Sequence, residues 1–258
     1  MTDTVMFQVY MYVMVFLYGI LIGSFLNVVI CRVPRGESFV KVRSHCEGCG
    51  YQLKWYDLIP LFSYLFLRGK CRKCKTRISI QHPVIEGING ILYCLVFWKF
   101  GMSVETLIYC LVFSALLALS VIDFRTYEIP RGFEYVIGTL AILYTVWDHQ
   151  NWLSHIIGFF AVSAVLYALY YISNGAWIGG GDVQLMAVCG LLLGWKLIIV
   201  AFLIGCILGS VIHLLRMKLS GENHLLALGP YLSAGVMLTA MWGEEFMNWY
   251  FHMLGLGM

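Results

Sequence analysis

Residues 177–195 read WIGGGDVQLMAVCGLLLGW. Three glycines, Gly179, Gly180 and Gly181, lead into a carboxylate, Asp182, and an apolar run follows it. A charge at the edge of hydrocarbon is costly, so an acid placed there is expected to have a function and a partner. One further acid reads as embedded in the same way: Asp123, which closes the apolar run 107–122 (LIYCLVFSALLALSVI). A phosphate loop would need Lys and Ser/Thr after the glycines, where Asp182 and Val183 stand, and a dinucleotide fingerprint would need glycine at Gln184. Both nucleotide readings fail. Two plainer readings stay open, that the glycines only break the chain ahead of a helix and that Asp182 only caps that helix.

Composition sets the class. The chain is 60% hydrophobic and 12% charged over 258 residues, the profile of a polytopic membrane protein. Its first apolar segment, 7–30, has no Lys or Arg before Arg32 and so lacks the basic start of a cleaved signal peptide. It is expected to be a retained first transmembrane helix, with Gly19 and Gly23 spaced for close helix packing. Eleven of the 17 Lys and Arg lie between Arg32 and Arg77, and Arg125, Arg131, Arg216 and Lys218 fall in later loops. Fifteen can therefore sit on one side, which the positive-inside rule makes the cytoplasm. Topology accounts for this basic stretch, and nucleic-acid binding is not expected.

The expected fold is all-α, a polytopic membrane protein with about eight transmembrane helices and a small cytoplasmic zinc-ribbon-like domain. The chain divides into a first helix (1–31), a cytoplasmic four-cysteine domain (32–83) and a transmembrane domain (84–258). In the cysteine domain, Cys46-x2-Cys49 and Cys71-x2-Cys74 are separated by 21 residues, close to the spacing of a four-thiolate zinc site. Such a metal would be structural, supplying folding energy to a short segment with a poor core. Disulfides are the weaker alternative in a reducing compartment. Cys31, Cys94, Cys110, Cys189 and Cys206 are expected to pack in apolar segments.

The later spans are expected at 84–98, 107–122, 133–147, 153–172, 183–194, 197–215 and 225–242, with both termini outside. Asp123 opens a polar turn that runs to Arg131, Trp195 and Lys196 form an outer turn, and Arg216, Lys218, Glu222 and His224 form a last inner loop. This count puts Asp123 and Asp182 on one cytoplasmic face. The 12 residues of 183–194 are too few to cross a bilayer alone, so other helices or thinned lipid must cover them. His213 would more commonly hydrogen-bond a neighbouring helix than shuttle protons. Interfacial Trp and Tyr read as membrane anchors.

Two aspartates sharing a proton hydrolyse an amide without metal or covalent intermediate: one carboxylate deprotonates a water and the other, protonated, polarises the carbonyl. Neither a Ser-His-Asp arrangement nor a His-Glu-x2-His zinc motif stands in the chain. This points to an intramembrane aspartic hydrolase. The competing classes are a proton-coupled carrier, against which both acids fall at one face and no inverted repeat is visible, and a non-enzymatic assembly scaffold.

Gly179-x-Gly181-Asp182 with Leu185 and Gly194-Trp195, together with Ile122-Asp123-x5-Ile129-Pro130, resembles the type IV prepilin peptidases, of the Gly-x-Gly-Asp class of intramembrane aspartic peptidases. The leading third resembles them too, in Gly23-Ser24-Phe25-Leu26-Asn27, Arg32-x-Pro34, Ser44-x-Cys46-x2-Cys49, Trp55-Tyr56-Asp57, Ile59-Pro60, Arg68-Gly69-x-Cys71-x2-Cys74 and Pro83-x2-Glu86. The resemblance implies a multi-pass enzyme of the bacterial inner membrane. It would cleave the leader of type IV prepilins or pseudopilins at the cytoplasmic face, then methylate the new N-terminus with S-adenosylmethionine. It implies Asp123 and Asp182 as the catalytic pair, Gly179 and Gly181 as motif glycines, and Cys46, Cys49, Cys71 and Cys74 as the paired cysteines. No motif marks the methyl-donor site. Gln184 stands where the family often has Lys, and Arg131 where it often has Asp or Asn. Preflagellin peptidases share the Gly-x-Gly-Asp core but generally lack a cysteine domain, so the cysteines favour the prepilin branch.

Overall fold

The computed structural model describes residues 2–38, 43–220 and 226–255, and the described residues are helical with no regular strand. Glu222 and His224 of the expected inner loop lie outside the described residues. Among the described residues ten α-helices follow in order: α1 (Thr2–Arg32), α2 (Phe62–Phe66), α3 (Gln81–Phe100), α4 (Val104–Thr126), α5 (Arg131–Trp147), α6 (Trp152–Ala161), α7 (Ser163–Ile172), α8 (Gly180–Leu193), α9 (Trp195–Ser220) and α10 (Gly229–Met253). They form two compact units, Met1–Ala118 and Leu119–Met258, with the boundary inside α4.

In the first unit α1 packs along α3. Gly19 and Gly23 carry that contact as expected: a Cβ on Gly19 would come within 2.7 Å of the Gly90 Cα, and one on Gly23 within 2.8 Å of the Glu86 Cα. Close approach then lets polar groups join the helices. Asn89, with none of its surface exposed, donates from Nδ2 to the Gly19 carbonyl at 2.7 Å and accepts from the Ser114 hydroxyl at 2.9 Å.

The second unit is built around α8, which packs against α5, α6, α7 and α9. Fourteen residues at 1.5 Å rise reach about 21 Å, short of the ~30 Å hydrocarbon layer, so this helix needs a protein sheath. It has one: Leu185, Met186, Cys189 and Leu192 are fully buried. Gly158 of α6 and Gly190 of α8 let the backbones nearly touch, since a Cβ on either would run into the other's carbonyl. Gly194 then ends α8 at φ +78, a left-handed conformation that glycine adopts without penalty.

Several expected boundaries shift. Helix α4 does not end at Asp123: the Tyr127 N–H donates to the Asp123 carbonyl at 2.8 Å, and the chain leaves the helix only at Tyr127, whose φ is +55. Polar side chains alone do not stop a helix, so Asp123 sits within it. Trp195 and Lys196 open α9 instead of forming a turn, and Arg216 and Lys218 belong to the same helix. The span expected at 153–172 is two helices meeting at Val162.

Among the described residues, five stretches are long and apolar enough to cross a membrane: Val5–Arg35, Gln81–Phe100, Val104–Thr126, Trp152–Ile172 and Trp195–Leu219, with Gly180–Leu193 a shorter apolar helix. The expected total of eight is therefore not reached on these criteria.

Candidate acid site and cysteine cluster

In the second unit four helices supply the acid site. Asp123, on the last turn of α4, is 5% exposed. Its Oδ2 accepts a 3.0 Å hydrogen bond from the backbone N–H of Gly229, the first residue of α10. Pro230 follows Gly229, and proline has no N–H to offer; the free donors of a helix start are well suited to a carboxylate. No side chain fits at Gly229, since a Cβ there would lie 2.6 Å from Asp123 Oδ2.

Asp182 is the third residue of α8, half-buried, and its carboxyl turns back to accept from the Gly179 backbone. The capping reading is therefore met in part. Capping does not exhaust its surroundings, because Asp182 also lies within electrostatic reach of Asp123. The two motif glycines have distinct neighbours. A Cβ on Gly179 would sit 3.2 Å from Asp182 Oδ2, and one on Gly181 would sit 2.9 Å from the Ile129 Cβ, so the Gly-x-Gly-Asp and Ile-Pro segments touch. At the end of α4, the Arg216 guanidinium stacks 5.2 Å from the Phe124 ring centroid.

A third acid was not foreseen. Glu134, in the first turn of α5, is 4% exposed, and neither carboxyl oxygen has a hydrogen-bond partner. It feels the charges of Arg131, one turn earlier, and of Asp182. In the sequence its only signal is an acid one turn into an apolar span. Glu86 of the first unit is also buried, but it accepts from the Leu61 N–H at 2.8 Å. His213 is half-buried on α9.

In the first unit the four paired cysteines converge, with their Sγ atoms all within 4.8 Å of one another. Each pair sits in the same kind of turn. Cys46 N–H donates to the Tyr51 carbonyl and Gly50 N–H to the Cys46 carbonyl, while Cys71 N–H donates to Thr76 and Lys75 N–H to Cys71. A short antiparallel bridge closes each turn, His45 with Gln52 and Lys70 with Arg77. Tetrahedral thiolates at ~2.3 Å from a metal stand about 3.8 Å apart, and Cys46 and Cys74 Sγ are 3.7 Å apart. The cluster thus fits a metal ion. Hydrogen bonds from the Thr76 hydroxyl and backbone bring the Cys74 thiol down to about 6. A backbone hydrogen bond from Tyr51 pulls Cys49 down, but desolvation and the other three sulfurs outweigh it and push that thiol up to about 11. Cys110 and Cys189 are buried in helices, and Cys31, Cys94 and Cys206 are half-buried, as expected of packing groups.

Comparison with known proteins agrees with this division of features. Residues 17–100 match the bacterial peptidase A24 N-terminal domain, and residues 110–214 match the type IV leader peptidase family. The chain is 33% identical to a prepilin leader peptidase/N-methyltransferase of Vibrio cholerae, covering 86% of this chain and 93% of the relative. It is 30% identical to one of Bacillus subtilis (92% and 97% covered) and 29% identical to one of Pseudomonas putida (88% and 89% covered). No solved structure matches it. With both the cysteine-bearing segment and the segment holding Asp123 and Asp182 matched, and relatives aligned over most of their length, the chain belongs to the type IV leader peptidase family.

Proposed function

We propose that this multi-pass membrane protein, a leader peptidase that cleaves prepilin leader peptides, does so with Asp123 and Asp182 as its catalytic pair. The observation that carries the assignment is that Asp123, buried and held by the Gly229 N–H, lies within electrostatic reach of Asp182, beside the Gly179 and Gly181 motif backbone. Two like charges so placed resist ionising together, so the pair works with one proton between them.

Hydrolysis then needs no other group. The carboxylate takes a proton from water as the water oxygen bonds the scissile carbonyl carbon. The carboxylic acid gives its proton to the carbonyl oxygen. When the gem-diol collapses, the amine leaves with the proton held by the first aspartate, a hydroxyl proton returns to the second, and the pair is restored. The Gly229 N–H fixes one oxygen of Asp123 throughout.

The finer topology is part of the same reading: eight spans, residues 32–83 in the bacterial cytoplasm and the enzyme in the inner membrane. The convergence of Cys46, Cys49, Cys71 and Cys74 supports a structural zinc ion, closed to water and apart from the chemistry. Zinc there would supply folding energy to the segment, while the residues themselves set its shape. The relatives' names include N-methyltransferase, which supports methylation of the new N-terminal amine from S-adenosylmethionine. No described side-chain cluster marks a site for that donor.

The test is cleavage by the purified, lipid-reconstituted chain of a prepilin whose leader ends before its apolar helix. Asp123→Asn and Asp182→Asn are each expected to lower the rate by roughly 10³-fold or more with metal content unchanged. A variant that still cleaves at the parental rate would overturn the pair.

A further inference from the structure

Between the two cysteine turns the chain reads WYDLIPLFSYLF over residues 55–66, folded as a single 3₁₀ turn, Trp55–Leu58, and the short helix α2. Six large apolar side chains of these twelve residues are exposed, among them Trp55 at 77%, Leu65 at 75% and Phe66 at 84%. So many large apolar side chains bared over so short a stretch mark a surface that something covers.

Two observations say what covers it. The first is where the segment is pinned. Leu61, held at φ +59, which a side-chain-bearing residue adopts only at a cost, donates its N–H to Glu86 Oε2 at 2.8 Å. Glu86 is the sixth residue of α3, one of the helices apolar enough to cross a membrane, and lies about 8 Å along its axis from the start. The bared side chains therefore sit beside the first turns of a helix long and apolar enough to cross a membrane.

The second is charge. One groove of the patch brings Arg43 and Lys54 against Trp55 and Leu58, and another brings Arg72 against Ile59, Phe62 and Phe66. The single acid of the segment, Asp57, is buried and paired with Arg72 Nε at 2.8 Å. The patch thus shows apolar side chains with a basic rim and no exposed acid. Apolar anchors, an aromatic at the boundary and cations on the polar side are the features of a segment lying in a bilayer interface.

We propose that residues 55–66 form a monotopic membrane anchor, with Trp55, Leu58, Leu65 and Phe66 set among acyl chains and Arg43 and Lys54 on the headgroups of anionic lipid. The cysteine cluster would then be held against the bilayer by the loop between its own two ligand pairs. This does not depend on the assignment of the acid pair.

The test uses the full chain in lipid nanodiscs made with brominated or ordinary phosphatidylcholine, with or without phosphatidylglycerol. The chain has eight tryptophans, so Trp55 is read as the difference between the parent and Trp55→Phe, a change that keeps the site apolar. Brominated lipid is expected to lower that difference emission about twofold, more so with phosphatidylglycerol present, while aqueous acrylamide leaves it nearly unchanged. Leu65→Ser with Phe66→Ser should weaken the lipid quenching at unchanged metal content. Quenching by acrylamide and not by brominated lipid would overturn the anchor. So would a Trp55 shielded only once a peptide with an apolar helix is added, which would make the occupant a protein. Equal quenching with and without phosphatidylglycerol would overturn the anionic preference.

Discussion

All four thiols of the cysteine cluster sit in two turns whose hydrogen bonds close within six residues, from Cys46 to Tyr51 and from Cys71 to Thr76. Asp123, Glu134, Asp182 and Gly229 come instead from α4, α5, α8 and α10, and meet only because those helices pack. One site is written locally, and its two halves converge as a metal ion would need them to. The other needs no ion, but every angstrom of helix placement enters its geometry. The two should therefore fail differently: the first by loss of its ion, the second by a single methyl group in the wrong place.

Removing the ion should have the largest effect. Cys71→Ser, or a strong chelator, is expected to take metal stoichiometry from one to zero and leave the cysteine segment open to protease cleavage. Structural metal in small domains supplies on the order of 10 kcal/mol of folding free energy. Metal analysis with limited proteolysis reads both, and a segment equally resistant without metal would show that its turns hold themselves. Next in size is Gly229→Ala. Its Cβ would fall 2.6 Å from Asp123 Oδ2, so the carboxyl must move or lose its N–H donor. A displacement of about 1 Å at a reacting group costs up to ~10²-fold in rate. We expect kcat to fall by roughly that factor with KM and metal content near parental; an unchanged kcat would show that Asp123 is not held at that oxygen.

What was legible in the sequence follows the same contrast. The cysteine turns were readable because their spacing is their geometry. So was the need to cover the short apolar run 183–194, which lies largely within α8 and is too short to span a bilayer, and so was the close packing at Gly19 and Gly23. The surroundings of the acids were only half readable. Asp123 and Asp182 stand out as acids at the ends of apolar runs, but Asp123 read as the start of a turn because DFRT is polar, whereas the helix runs on until Tyr127 takes a left-handed φ. Gly229 read as no more than part of a span, since what it touches is 106 residues away. Glu134 was lost for the same reason: its burial is a property of how α5 meets α8 and not of its neighbours in the chain.

Glu134 sharpens the comparison because stability and rate should separate there. A buried carboxyl with no hydrogen-bond partner costs about 1–3 kcal/mol, and both of its oxygens lack one. Glu134→Leu keeps much of the volume and removes the orphaned groups, so it should raise unfolding stability by roughly 1 kcal/mol or more. If its charge near Asp182 serves the site, the same variant should cleave several-fold more slowly while melting higher. A variant that is both more stable and fully active would make Glu134 a packing defect with no part in the chemistry.

The smallest effect lies back in the cysteine cluster, where the two turns share their backbone hydrogen bonds but not the residue type at their left-handed position. The fifth position from each leading cysteine has a left-handed backbone, and it is Gly50 at φ +67 in the first turn but Lys75 at φ +62 in the second. A side chain in that region costs about 1 kcal/mol relative to glycine, partly offset because glycine has more freedom to lose on folding. Lys75→Gly should therefore tighten metal retention about two- to fivefold in a chelator competition, and Gly50→Lys should loosen it by a similar factor. The charge of Lys75 is a separate contribution, since an ammonium near four thiolates favours their ionised form. Lys75→Asn, which removes the charge but tolerates left-handed φ better than most residues, distinguishes the two. Retention that follows backbone tolerance across Gly, Asn and Lys would mean that strain at this position sets the difference, and retention that follows charge would mean that Lys75 is kept for its ammonium.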